Sequence, residues 1–155
     1  MTSRGALTFA VIFVITAGID QGTKAWARTL DPGRHAVIAG YWDWEPAQNP
    51  GAAFSTFPGG TALLALIAAG ALVAIGVTAA RTPPGQRLRL AALALVAGGA
   101  LGNLIDRVRL GSVTDFVRWR IHDHLWPIFN VADAALLVGV VLLLACGAPS
   151  RRLSA

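Results

Sequence analysis

A chain of 155 residues that is 55% hydrophobic and 14% charged, with a mean hydropathy of +0.59, has the length of one domain and is too apolar for an ordinary soluble fold. Its net charge of +5 comes from scattered basic residues, which argues against nucleic acid as a partner in spite of an isoelectric point near 11.0. A single cysteine, Cys146, excludes an intrachain disulfide; within an apolar segment, a lone buried thiol packs as a small hydrophobe.

A spanning helix needs about 20 mainly apolar residues, within about 17–25. Four segments reach that length with their polar flanks: residues 6–27, 61–80, 88–106 and 130–148. The first runs from near Arg4 to Ala25-Trp26-Ala27, the charged, apolar and small-residue order of an export signal. Three more apolar segments follow it, and Asp20 and Lys24 are out of place before a cleavage site, so it reads as a retained first span. Asp20 and Lys24 are four apart and share a helical face, where an ion pair lowers the cost of both near a membrane boundary. The pair either orients the helix end or touches a substrate.

In the loop that follows, Tyr41, Trp42 and Trp44 favour the headgroup level, as do Trp119 and Trp126 further on. The run Asn49-Pro50-Gly51-Ala52-Ala53-Phe54-Ser55 reads as a turn entering the second span. Gly51 can take a left-handed conformation there, and the Asn49 amide could hold a peptide backbone by donor and acceptor together. Residues 81–89, rich in Pro, Gly and Arg, form a tight basic turn.

Gly98 and Gly102 are a small-xxx-small pair, suited to close helix packing in lipid. Asn103 and Asp106 share a face, and Asp106-Arg107 is expected to end the helix. A carboxylate beside an arginine stays ionised, which suits an orienting role. Ser112 to Val117 alternates polar and apolar residues as a half-buried strand does, so a small surface sheet can join the two loops. In Pro127-Ile128-Phe129-Asn130-Val131-Ala132-Asp133, Asn130 can cap a helix with Asp133 at its third position, where the macrodipole favours an anion.

All eight acidic residues lie in or beside the two longer loops. Four spans put both termini and the 81–89 turn on one side and these loops on the other. Arg4, Arg81, Arg87, Arg89, Arg151 and Arg152 fall on the terminal side in three short tracts. Lys24, Arg28, Arg34, Arg107, Arg109, Arg118 and Arg120 are spread over the other side. The concentrated tracts favour cytoplasmic termini, although the local bias around the first span points the other way.

Asp115 has no adjacent cation. If it faces Asp133, the two carboxyls share a proton and can act as general base and general acid on a peptide bond. His122 and His124 have no ligating cluster and no Gly-x-Ser-x-Gly motif occurs, so no metal, no other cofactor and no serine nucleophile are expected. A small proton- or ion-coupled membrane transporter is the alternative, since membrane carboxylates often mark relays. A carrier needs its ionisable groups near the midplane, whereas these acids gather at one end of the spans. A non-catalytic membrane scaffold is a third reading.

Taken in order, Asp20-Gln21-Gly22-Thr23-Lys24 and residues 49–55, 98–116 and 127–133 resemble the lipoprotein signal peptidase (signal peptidase II) family over most of the chain. The resemblance implies an aspartic endopeptidase of the bacterial cytoplasmic (inner) membrane. It cuts diacylglyceryl-modified prolipoproteins just before the lipid-bearing cysteine, among membrane lipids. The implied architecture is an all-α membrane protein of four transmembrane helices, in one integral-membrane peptidase domain over residues 1–155. A small extracytoplasmic strand-and-loop subdomain lies at the membrane surface, the termini are cytoplasmic, and the site faces outward. The implied catalytic pair is Asp115 and Asp133, with Asp106 as the competing acid. Asp20, Lys24, Asn49, Gly51, Asn103, Asp106, Arg107 and Asn130 are the expected substrate-binding or site-bracing residues.

Overall fold

The computed structural model describes residues 2–51, 60–121 and 124–147. Ala52 to Ser55 of the second polar run, His122, Arg151, Arg152 and the end of the expected fourth span lie outside the described residues.

Among the described residues, four helices carry the fold. Helix α1, Ser3–Ala27, opens on Thr2, whose hydroxyl accepts the Gly5 N–H at 3.2 Å, a conventional cap. Helices α2, Gly60–Arg81, and α3, Arg87–Leu110, follow, and α4 covers Val131–Gly147. The first three are long and apolar enough to cross a membrane, and α4 is a shorter apolar helix. Large side chains such as Leu66 (71% exposed), Leu137 (67%) and Leu144 (70%) cover the outside of the bundle. Such a perimeter is far more apolar than a water-facing surface tolerates.

Helix α3 is the central post, packing against each of the other three. Its glycines make that possible. A Cβ at Gly98 would lie 2.6 Å from Thr16 Cβ, and one at Gly102 would collide with the Asp20 carboxylate, so this face lies directly on α1. Gly99 faces the Ala132 carbonyl, and Gly139 of α4 meets Ala92 and Val96 in return. The small-residue spacing thus serves one helix pair, while neighbouring glycines serve another.

The expected end of α3 at Asp106-Arg107 is corrected: the helix continues to Leu110 and stops at Gly111, which has φ +72° and donates its N–H to the Arg107 carbonyl at 3.1 Å. Glycine takes this left-handed cap without the penalty other residues carry. Asp106 and Arg107 therefore sit inside the helix, with the acid turned into the bundle.

Between the helices lies a four-stranded antiparallel sheet in the order β1 (His35–Ile38), β2 (Trp42–Asn49), β3 (Val113–Ile121) and β4 (His124–Leu125). The alternating stretch at Ser112–Val117 thus becomes the start of β3, joining the two loops. Its register pairs Trp42 with Trp119, Ala47 with Asp115 and Asn49 with Val113, and slips between Trp44 and Ala47. Pro46, which has no N–H, falls within that irregularity, where a ladder bond is not required. Arg118 grips Glu45 with two bonds (2.9 and 3.1 Å) across β2 and β3, and this pairing holds the Glu45 carboxyl below its usual range.

The aromatic residues divide into two groups. Tyr41, Trp119 and Trp126 are exposed, as a headgroup position requires. Trp42 and Trp44 turn inward instead: Trp44 meets Trp26 of α1 edge-on at 5.2 Å, and Trp26 meets Phe116 at 6.1 Å. They cover a small core of Ala27, Phe116 and Val117, so these rings fasten the sheet to α1. Cys146 also departs from expectation. It is exposed and not buried, opening on a cleft shared with Thr78 of α2 and Arg89 and Leu93 of α3.

Candidate active site

The start of α4 is set by the run Asn130-Val131-Ala132-Asp133. Asn130 Oδ1 accepts the Asp133 N–H at 3.0 Å, and the Asp133 carboxylate accepts the Asn130 N–H at 3.2 Å. This reciprocal cap satisfies two of the donors that a helix start leaves open. Asp20 of α1 reaches across to accept a third, the Ala132 N–H at 2.9 Å. Asp133 is half-buried while Asn130 and Asp20 are fully buried.

Asp115 arrives from β3. Its carboxylate accepts Asn130 Nδ2 at 2.6 Å and Asn49 Nδ2 at 2.9 Å, and the residue is only 3% exposed. Phe129 holds the approach in place, its carbonyl accepting from the N–H groups of Phe116 (3.1 Å) and Val117 (2.9 Å). Burial raises the Asp115 pKa from an ordinary 3.8 to about 6, and the neighbouring Asp133 charge pushes the same way. The hydrogen bonds from Asn49 and Asn130 and the charge of Lys24 oppose the rise. Asn130 is thus bonded to both carboxyls at once, and a second amide, Asn103 Nδ2, reaches Asp133 at 2.9 Å.

A separate charge cluster lies behind this pair. Lys24 and Asp20 are both fully buried and 2.9 Å apart, the ion pair expected from their spacing. Lys24 also lies 3.5 Å from Asp106 and donates to Asn103 Oδ1 at 2.8 Å. Asp106 further accepts Gln21 Nε2 (3.2 Å) and the Thr114 N–H (3.0 Å), with Arg28 at 3.8 Å. Its cationic partners are Lys24 and Arg28, not the adjacent Arg107. Removing one member of such a buried set costs about 3–5 kcal/mol, so the cluster ties α1, α3 and β3 together.

Arg107 donates to the Asn103 carbonyl at 3.4 Å and lies within electrostatic reach of Asp133, Asp115 and Asp106. It ends an apolar groove of about 690 Å³ between α2 and α3, lined by Ala65, Leu66, Leu104 and Val108 among others. On the other flank, Asp133 opens into a cleft of about 340 Å³ walled by Trp119, Trp126, Phe129, Leu137 and Val138. Gly51 has φ +93°, and a Cβ there would lie 2.6 Å from the Leu64 side chain. The Asn49 amide donates to Asp115 at 2.9 Å and accepts the Gly51 N–H at 2.9 Å. Among the described residues no group of three His, Cys, Asp or Glu side chains is arranged to hold a metal ion.

The structure thus gathers Asp115, Asp133, Asn49, Asn103 and Asn130 into one polar centre, with Asp20, Lys24 and Asp106 immediately behind it. Sequence reasoning did not single out Gln21, Arg28 or Thr114. Gln21 bonds Asp20 at 3.2 Å and the Gly102 carbonyl at 3.0 Å, as well as Asp106. The Thr114 hydroxyl accepts Arg28 at 3.0 Å. Their signal was adjacency: Gln21 follows Asp20, and Thr114 precedes Asp115.

The family model for signal peptidase (SPase) II matches residues 12–147. The chain is 39% identical over 142 residues to a lipoprotein signal peptidase of Xanthomonas euvesicatoria, covering 88% of this chain and 83% of that one. It is 36% identical over 150 residues to one from Xylella fastidiosa, covering 90% and 87%. Two solved structures, each described as a bacterial membrane enzyme obtained by the in meso method, are similar at 31% identity. One gives a TM-score of 0.84 over 92% of this chain and 94% of the other; the second gives 0.81 over 90% and 86%. Sequence likeness from inside α1 to the end of α4, on a shared fold, means that this chain belongs to the signal peptidase II family.

Proposed function

We propose that this peptidase removes signal peptides from diacylglyceryl-modified prolipoproteins, cutting just before the lipid-bearing cysteine, with Asp115 and Asp133 as its catalytic pair. The observation that carries the assignment is Asn130, fully buried and bonded to both carboxyls. It holds an acid from the sheet and an acid from α4 at one centre. Asp106, the competing acid, is occupied by Lys24, Arg28, Gln21 and the Thr114 N–H, which leaves it a bracing role.

The chemistry follows from one proton held between two carboxyls. The upward push on Asp115 raises the share of molecules that carry that proton there relative to an ordinary carboxyl, the direction an acid of the pair needs. The ionised partner takes a proton from water as the water oxygen attacks the scissile carbonyl carbon, while the protonated partner hydrogen-bonds the carbonyl oxygen. Collapse of the tetrahedral intermediate breaks the C–N bond and passes a proton to the leaving nitrogen. The products are a signal peptide with a free carboxyl end and a lipoprotein with a free cysteine amine. No cofactor enters this scheme. Arg107 stabilises negative charge near the pair. Asn49, Asn103 and Asn130 fix the carboxyls, Gly51 shapes the turn that carries Asn49, and Asp20 and Asp106 brace the helices.

Substrate reaches this centre from the bilayer, since membrane lipids and acylated peptide both suit the two apolar grooves beside it. We place the chain as one integral domain with α4 as its fourth span. Its termini and the basic turn at Arg81, Arg87 and Arg89 face the cytoplasm, and its sheet lies on the outer face of the inner membrane. Nucleic acid has no part in this reading. The test is incubation of the purified protein with a diacylglyceryl-modified prolipoprotein and mass analysis of the products. The expected product begins at the modified cysteine, and the unmodified precursor stays intact. Equal cleavage of the unmodified precursor would overturn the substrate assignment.

A further inference from the structure

Lys24 touches neither carboxyl of the proposed pair and is sealed from substrate, being fully buried. Its three ammonium hydrogens have three acceptors around them: Asp20 Oδ2 at 2.9 Å, Asn103 Oδ1 at 2.8 Å and Asp106 Oδ2 at 3.5 Å. A primary ammonium donates and never accepts, so whatever Asn103 turns toward Lys24 must be its carbonyl oxygen. That choice decides the other end of the amide. With Oδ1 on Lys24, Nδ2 points at Asp133 and donates to Oδ1 at 2.9 Å. The reversed amide would set NH2 against an ammonium and a carbonyl oxygen against a carboxylate, two repulsive contacts in place of two attractive ones.

We infer that Lys24 is a positioning residue for the reaction, acting through Asn103: its ammonium fixes which face of that amide meets Asp133. Asn103 Oδ1 also accepts Asn130 Nδ2 at 3.3 Å, and that nitrogen bonds Asp115 as well. The line from α1 therefore branches to both carboxyls. Asp20 and Asp106 hold the ammonium in place from α1 and α3. The inference rests on the proposed Asp115–Asp133 pair but adds a residue one amide removed from it. It also answers the question left open by the sequence, whether the Asp20–Lys24 pair orients structure or meets substrate.

The test is a double-mutant cycle in the full chain, measuring kcat and KM for diacylglyceryl-prolipoprotein cleavage with Lys24→Met, Asn103→Leu and the two combined. Without Lys24, only the 3.3 Å bond from Asn130 Nδ2 holds the amide oxygen, so the amide is less firmly set, and a misaligned acid costs about 100-fold in rate. Lys24→Met is expected to lower kcat by about that factor and to move KM by less than about threefold. In the Asn103→Leu background the same change should have almost no further effect, because residues acting in series do not add. A kcat loss in Lys24→Met that recurs in full without Asn103 overturns the inference, as does an unchanged kcat. If Lys24→Met fails to fold because two acids lose their partner, Asp20→Asn/Lys24→Met keeps the charge balance and the Ala132 cap acceptor, and is read in the same way. Failure of both variants to fold assigns Lys24 to stability alone and likewise overturns it. Turnover retained in Asp115→Asn or Asp133→Asn contradicts the proposed pair itself, a different result from a silent Lys24→Met beside two inactive aspartate variants.

Discussion

Asn130 and Asp133 cap each other, side chain to backbone in both directions, at 3.0 and 3.2 Å. The same Asn130 side chain also donates from Nδ2 to Asp115 at 2.6 Å. One residue thereby starts a helix and joins the two acids on which the proposed chemistry depends.

Truncating it should damage both roles. Asn130→Ala is expected to lose about 1 kcal/mol of capping, a fall in Tm of about 2–4 °C for a chain of this size. Activity should fall by at least about tenfold, since Asp115 then keeps only the Asn49 amide and Asp133 loses the side-chain half of its cap. Thermal unfolding in detergent and initial cleavage rates measure the two effects separately.

Ionising Asp115 should cost stability. Its folded pKa of about 6 lies above the ordinary 3.8, so the folded state binds the proton more tightly. The stabilisation from that proton is present in full below pH 3.8 and is lost as pH rises through about 6. Asp115→Asn removes the titration, so its Tm should gain on the wild type as pH rises from 4 to 8. The gap should level off above about pH 7 at a value on the order of 2 kcal/mol. Unfolding curves across that range check the sign, and a gap that narrows with rising pH contradicts it.

The glycines of α1 and α3 should respond in opposite directions. A Cβ at Gly98 meets Thr16 at 2.6 Å and the Phe13 carbonyl at 3.1 Å, whereas one at Gly18 meets nothing within 4 Å. Gly98→Ala is therefore expected to destabilise by about 1–3 kcal/mol through overpacking. Gly18→Ala should stabilise by up to about 1 kcal/mol through helix propensity. Melting temperatures of the two variants test this directly.

Asp106 should behave as a brace. Asp106→Asn keeps an oxygen for the Thr114 N–H but withdraws the charge facing Lys24 and Arg28. It should lose stability while keeping measurable turnover per folded molecule. Complete loss of turnover in a folded Asp106→Asn protein would restore it as a competitor for the catalytic role.

Much of this was legible because the signals are local. The Asn130–Asp133 cap and the Asp20–Lys24 pair need only helical spacing, and the alternation from Ser112 needs only a strand's two-residue period. Long-range packing decided the rest. Trp42 and Trp44 carry the composition of headgroup anchors, but Trp44 meets Trp26 of α1 edge-on and Trp42 in turn meets Trp44. Asp106 looked paired to Arg107 by adjacency, yet neighbouring helix positions face different ways, and Lys24 from another helix takes that place. Cys146 looked buried because its segment is apolar, but a helix in a bilayer presents apolar residues outward too. Nothing local told Asn49 to bond Asp115, which is 66 residues away; the β2–β3 register brings them together.

The central claim is that Asp115 and Asp133 act as one unit, and the most direct measurement is cleavage of a diacylglyceryl-prolipoprotein by Asp115→Asn and Asp133→Asn proteins confirmed as folded by thermal unfolding. Each variant alone is expected to yield no detectable signal-peptide release, with the double variant no worse than either. Wild-type turnover in either folded single variant contradicts the account.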